Sequence, residues 1–186
     1  MAKKARVYDG TAWQELASAQ TDLTAYSTTA QMNAAPNRLL QNLNFTTGEV
    51  ATGTTTIPFD NTIPQITEGT QFMTLEITPT SATSILEIEA SVQGRYTTGA
   101  WIITALFRDA ETNALAASYG DYAAGTAPAI ATRLFCRTTS GTTSPITFSI
   151  RAGGNNAGTL TFNGSTGGRI FGGVMASFIT IKEYQA

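Results

Sequence analysis

Leu86-Glu87-Ile88-Glu89-Ala90-Ser91-Val92-Gln93 decides the fold. Apolar residues fall at every second position, with polar ones between them. Successive side chains of an extended strand point to opposite faces, so this stretch buries one face and wets the other. Its neighbours repeat the pattern. Met73, Leu75 and Ile77 alternate with Thr74, Glu76 and Thr78, and Ile146, Phe148 and Ile150 alternate with Thr147, Ser149 and Arg151. Two stretches differ. Residues 101–107 and 174–181 are apolar on both faces, which places them centrally in a sheet or against another subunit.

Turn signals separate these runs: Pro79-Thr80-Ser81, Thr98-Gly99, Ser140-Gly141, Gly153-Gly154-Asn155-Asn156, Asn163-Gly164 and Gly167-Gly168. Roughly eight strands at such spacing predict an all-β fold, an antiparallel β-sandwich of the jelly-roll kind, over residues 45–186. Leu86, Ile88, Val92, Ile146, Phe148 and Ile150 are expected inside it, with Glu87 and Glu89 facing solvent.

Residues 1–44 read differently, as an extended N-terminal arm. Asp9-Gly10 is a turn signal, because glycine tolerates positive φ and aspartate tolerates the left-handed region. Val7 and Tyr8 precede it, and Trp13 and Leu16 follow, which predicts a small β-hairpin. Two strands alone are marginal in water, so the hairpin needs a surface to pack on. From residue 17 to 35 the chain is small and polar, with Leu23, Tyr26 and Met32 widely spaced. A short helix around 28–35, ended near Pro36, is compatible with this.

Composition excludes several function classes. Only 13% of the 186 residues are charged and the net charge is −2, so no basic stripe is present for a nucleic-acid backbone. Lys3, Lys4 and Arg6 read as a solvated terminus, with no secretory apolar segment after them. No apolar run nears the ~18 residues of a membrane span, so no membrane insertion is expected. The sequence contains no histidine, which removes the commonest general base and transition-metal ligand. No catalytic, cofactor-binding or metal residues are assigned, and no cofactor is expected.

The remaining polar and aromatic residues give weaker signals. Glu87 and Glu89 share a strand face about 7 Å apart, the spacing of an inverting glycosidase pair and equally of any solvated strand face. Asp109 with Glu111, and Asp121, lack the dense oxygen loop that calcium wants. Cys136, between Phe135 and Arg137, reads as a small buried hydrophobe; its thiol would be activated only if Arg133 and Arg137 turned toward it. Tyr96, Trp101, Tyr119 and Tyr122 sit near strand ends. Aromatic faces suit sugars and flat contacts, so Tyr96, Tyr119 and Tyr122 are the surface-contact candidates.

Several blocks resemble phage proteins. Val7-Tyr8-Asp9-Gly10-Thr11-Ala12-Trp13-Gln14, then Asp22-Leu23-Thr24 and Thr28-Thr29-Ala30-Gln31-Met32-Asn33, resemble the N-terminal anchors of tail-fibre and related virion proteins. Thr54-Thr55-Thr56-Ile57-Pro58-Phe59-Asp60, Thr78-Pro79-Thr80-Ser81-Ala82-Thr83 and Gly168-Arg169-Ile170-Phe171-Gly172-Gly173-Val174-Met175-Ala176-Ser177 resemble a β-domain at the ends of phage fibres. The resemblance implies a bacteriophage virion structural protein made in the bacterial cytoplasm and carried on the particle surface. It implies a homotrimer, a short tail fibre anchored by its arm to other virion proteins, with a head for host attachment through a surface glycan or protein. The long shaft of an ordinary fibre is missing, which keeps a capsid decoration or cement protein as the alternative, and a polysaccharide depolymerase as a third reading. Anchor candidates are Val7, Tyr8, Trp13, Leu16, Leu23 and Tyr26. Trimer-interface candidates are Trp101, Ile103, Met175, Phe178, Ile179 and Ile181, taken from the two stretches with apolar residues on both faces.

Overall fold

The computed structural model describes residues 6–8, 11–15, 36–120 and 129–186. Strands β1 (Arg6–Tyr8) and β2 (Trp13–Glu15) pair antiparallel, with Tyr8 opposite Trp13, which is the predicted hairpin. The side chains of its strands, and Leu16, Leu23 and Tyr26, lie outside the described residues. The chain divides into two compact units, Met1–Arg38 and Leu39–Ala186. The division falls earlier than the expected boundary at 44, because the first strand of the second unit starts at Leu39.

The second unit contains β3 (Leu39–Thr47), β4 (Ala51–Gly53), β5 (Thr70–Ile77), β6 (Ile85–Tyr96), β7 (Ile102–Arg108) and β8 (Ala116–Gly120). It continues with β9 (Ala129–Thr139), β10 (Ile146–Gly154), β11 (Leu160–Phe162), β12 (Gly164–Ser165), β13 (Gly168–Arg169) and β14 (Ser177–Tyr184). One sheet runs β5-β10-β7-β8. In the other, β14 lies between β3 and β6, β9 pairs the far edge of β6, and β11 and β4 extend it. All described pairings are antiparallel. The chain alternates between sheets in the way of a jelly roll, and the fold is an antiparallel β-sandwich.

Alternation explains the core. Leu86, Ile88, Ala90 and Val92 of β6 are fully buried and meet Ile146, Phe148 and Ile150 of β10 between the sheets. Ile179 and Ile181 of β14 join them, and Phe72 stacks on Phe162 at 4.7 Å. Glu87 and Glu89 lie on the opposite face of β6, as expected. On β9, Arg137 lies directly opposite Glu87 and Arg133 lies diagonal to Glu89, and each forms an ion pair with that glutamate.

The two stretches that read as apolar on both faces resolve differently. On β7, Ile102 and Leu106 face the main core, while Ile103, Ala105 and Phe107 form a second cluster with Ile57. Ile66, Trp101 and Ala114 pack against it. Residues 54–69, between β4 and β5, therefore cover the outer face of β7. They are tied down by backbone bonds Ile57 N–H to Gly154 O (3.1 Å), Ile66 N–H to Thr112 O (2.8 Å) and Ala114 N–H to Pro64 O (2.9 Å). The second stretch is not one strand. Phe171–Gly173 is a single 3-10 turn, and β14 begins only at Ser177 with one face inward. Positive φ at Phe171 (50°), Gly172 (63°) and Gly173 (91°) breaks the extended run.

Ile103, Ile179 and Ile181 are thus packed within the chain and are not trimer-interface residues. Their outer-face counterparts on β14 are Phe178, Thr180 and Lys182, which are half-buried.

Glu183 is a buried charge on β14. Its carboxylate accepts hydrogen bonds from Gln41 Nε2 (2.6 Å), Thr80 N–H (2.7 Å) and the Thr80 hydroxyl (2.7 Å). Burial pushes this carboxyl upward, but the donors more than offset it and leave it below the usual glutamate value; the Ser84 hydroxyl adds to the field although it stands outside hydrogen-bond geometry.

Candidate interaction surfaces

Two regions of the second unit expose large apolar side chains. The first begins on the outer face of β6 and β9. Phe135, opposite Glu89, is 60% exposed between the outward Arg133 and Arg137. The Glu89–Arg133 and Glu87–Arg137 pairs flank it. Cys136 points the other way, opposite Ile88, and packs on the core. Burial raises its thiol pKa, and the two arginines face the glutamates instead.

Further along the same face, residues 170–176 form a raised segment with a hollow on either side. One hollow of about 420 Å³ is lined by Gly94, Arg95, Gly164, Ser165, Ile170, Phe171 and Met175. The other, about 560 Å³, is lined by Gln93, Ala131, Ile170, Phe171, Val174, Met175 and Ala176. Phe171 is 75% and Val174 84% exposed. Phe171 holds a left-handed backbone that a bulky residue rarely adopts. Arg95 reaches Ser165 Oγ at 2.9 Å, while its Nε is buried without a partner.

The second region lies on the other sheet, at the edge of the covering segment. Phe59 stacks on Trp101, with centroids 5.1 Å apart and planes 13° from parallel. Tyr119 of β8 stands edge-on to both, at 5.1 and 5.5 Å. Three different elements thus bring three rings together.

The candidates from sequence divide accordingly. Tyr119 is on the surface. Tyr96 is not: its ring is buried, and its hydroxyl donates to Asn156 O at 2.7 Å. It fits because Gly154 and Gly158 leave room; a Cβ at either would run into the ring. Tyr122 lies outside the described residues. Trp101 belongs to the aromatic group and the β7 cover. Met175 lines both hollows, and Phe178 sits on the same outer face. Phe59, Phe135, Phe171 and Val174 were not singled out as site residues. The alternation around Cys136 would have found Phe135; the loop residues gave no periodic signal.

Several carboxylates are committed to structure. Besides the β6–β9 pairs, Arg108 lies 3.9 Å from Asp109 and 3.8 Å from Glu111. Among the described residues no group of acidic, Cys or His side chains is arranged to hold a metal ion. No helix among them is long and apolar enough to cross a membrane.

Fold and surface together define an all-β jelly-roll domain whose marked features are exposed apolar and aromatic patches. The chain belongs to the family of the Pgp3 C-terminal domain, whose family model matches residues 41–186. A search of the curated proteins finds no match. The family assignment corrects the reading from resemblance. This is a virulence-protein family of Chlamydia and not a phage tail-fibre family, so the virion function, the capsid-decoration alternative and a place on a phage particle all fall.

Proposed function

We propose that the second unit is a non-catalytic interaction domain that works as a closed homotrimer. The observation that carries this reading is the knob-and-socket layout on one outer face. Phe135 protrudes from β9, and the hollows beside Phe171 begin at Ala131, about 13 Å along the same strand. A protruding ring and an apolar hollow at different places on one subunit fit a head-to-tail contact between copies, the arrangement favoured here over a reciprocal two-fold one. Such contacts close into rings or run on as filaments, and three is the smallest head-to-tail ring. Exposed patches of this kind on a soluble surface mark interaction sites. Glu87, Glu89 and Glu183 support a role without chemistry, since they are held by arginines or by Thr80 and Gln41.

Light scattering on the purified chain at micromolar concentration tests the assembly. A mass three times 19.6 kDa is expected. Phe135→Glu should return it to a folded monomer, because the charge would enter an apolar hollow. A stable monomer of the unaltered chain would remove the trimer reading.

A further inference from the structure

We infer that Phe59, Trp101 and Tyr119, with Asp60 beside them, form a binding site for a neutral pyranose ring of a glycan. The site goes beyond the assembly reading and does not depend on it, since every residue belongs to one subunit.

Phe59 is 48% and Tyr119 56% exposed, although each packs on the other two rings. Phe59 lies flat on Trp101 and still leaves nearly half of its surface open to solvent. The platform is rigid. Trp101 N–H donates to Asn155 Oδ1 at 2.9 Å, and Asn155 N–H donates to Trp101 O at 3.0 Å. The segment that carries Phe59 is tied by Gln65 Nε2 to Asn113 Oδ1 (3.0 Å) as well as by its backbone bonds. Aromatic area that stays ordered while wet is prepared for a ligand with an apolar face and a polar rim.

Asp60 follows Phe59 in the chain and supplies a carboxylate acceptor. Thr62 donates twice to one carboxylate oxygen, Oδ1, from its amide (2.8 Å) and its hydroxyl (2.5 Å). The side chain is thereby oriented, and Oδ2 has no described partner. These bonds also hold the carboxyl below the usual aspartate value, so it is ionised near neutral pH. A sugar ring offers what this arrangement takes: C–H groups for the aromatic face and hydroxyl donors for a fixed carboxylate. A cationic side chain is the other ligand that combines rings and an acid. It prefers rings arranged around a void, whereas these three fill their own centre, with all centroids 5.1 to 5.5 Å apart.

Tryptophan fluorescence reads the site directly. The chain has two tryptophans, so the full-length Trp13→Phe variant leaves Trp101 as the only reporter. Methyl β-galactopyranoside, methyl β-glucopyranoside, methyl α-mannopyranoside and N-acetylglucosamine would be titrated separately, with the methylamide of Nα-acetyl-lysine as the cationic control. At least one sugar should shift the emission with a dissociation constant of about 1 mM, the range of a single small contact. Phe59→Ala should weaken that sugar by about tenfold or more, and Asp60→Asn by several-fold, with the unfolding midpoint of Asp60→Asn unchanged. Saturation-transfer NMR on the same samples gives a second readout. No response to any of the four sugars by either method would overturn the inference. A response to the lysine derivative alone would also overturn it, and would assign the platform to a cationic peptide.

Discussion

The outer face of β7 carries Ile103, Ala105 and Phe107, and residues 54–69 of the same chain lie over it. The outer face of β6 and β9 carries Phe135 among ion pairs, and Phe135 stays exposed. Both faces present apolar side chains away from the main core. One is finished by the chain itself; the other is left open. The open face compensates with charge: Glu87 and Glu89 are matched across the strands by Arg137 and Arg133, which keeps it wettable in a single subunit. Apolar residues on both sides of a strand therefore say that a second cover exists, not that the cover is another subunit.

The largest expected effect breaks the closed face. Phe107→Ala should cost about 4 kcal/mol, because the ring is fully buried and its neighbours collapse only partly into the space. Urea unfolding would measure it as a lower midpoint with an unchanged slope. If residues 54–69 are a loose flap, the cost will stay near ~1 kcal/mol and the distinction between the two faces fails.

Overpacking under the same cover comes next. A Cβ at Gly153 would collide with the Thr55 carbonyl, and the covering segment would have to lift. Gly153→Ala should lose about 2 kcal/mol. Limited proteolysis should then cut within 54–69 first; unchanged cleavage would show that the segment is not held by this close approach.

Glu183 sharpens the comparison from inside the open-faced sheet. Glu183→Gln should cost about 1 kcal/mol at neutral pH, since a neutral amide replaces a charged acceptor of three hydrogen bonds. The folded-state pKa lies below the ordinary glutamate value, so the unfolded chain binds the proton more readily. The contribution is therefore complete above that value and lost as the pH falls through the lower folded pKa. Unfolding curves of the two proteins should converge across that acid range. A constant gap down to the acid limit would contradict the assigned hydrogen bonds.

The smallest effect on folding belongs to the open face. Phe135→Glu should change subunit stability by no more than about 0.5 kcal/mol while removing the trimer. A loss comparable to that of Phe107→Ala, measured on the monomer, would mean that Phe135 is covered by its own chain.

Much of this was legible in sequence where period-two alternation ran uninterrupted. β6 and β10 are the plain cases: Leu86, Ile88, Val92, Ile146, Phe148 and Ile150 lie inside, and Glu87 and Glu89 lie outside. The reading failed where apolar residues crossed a break in the backbone. Val174 and Met175 continue smoothly into Phe178 by composition, but the positive φ values at 171–173 belong to a turn, and only the glycines hint at it. Tyr96 looked like a rim residue because it ends a strand. Its burial depends on Gly154 and Gly158, far along the chain, whose missing side chains make the space. Phe59 lies in a Thr- and Pro-containing connection without periodicity, and its partners Trp101 and Tyr119 come from elements that only the fold brings beside it. Pairwise convergence of that kind is not written in local pattern.

The position of β14 has a kinetic consequence. It sits between β3 and β6, so residues 39–47 pair with 177–184, and β3 has no partner strand until nearly the whole second unit is available. Long-range pairing of this sort closes a large loop before it gains any stabilisation, and such topologies fold in milliseconds to seconds. During synthesis, β3 and one edge of β6 wait unpaired, a template for the same edges on neighbouring nascent chains. Slow closure by this strand leaves those two edges open to mispairing longer than the edges of strands that find their partners nearby in sequence.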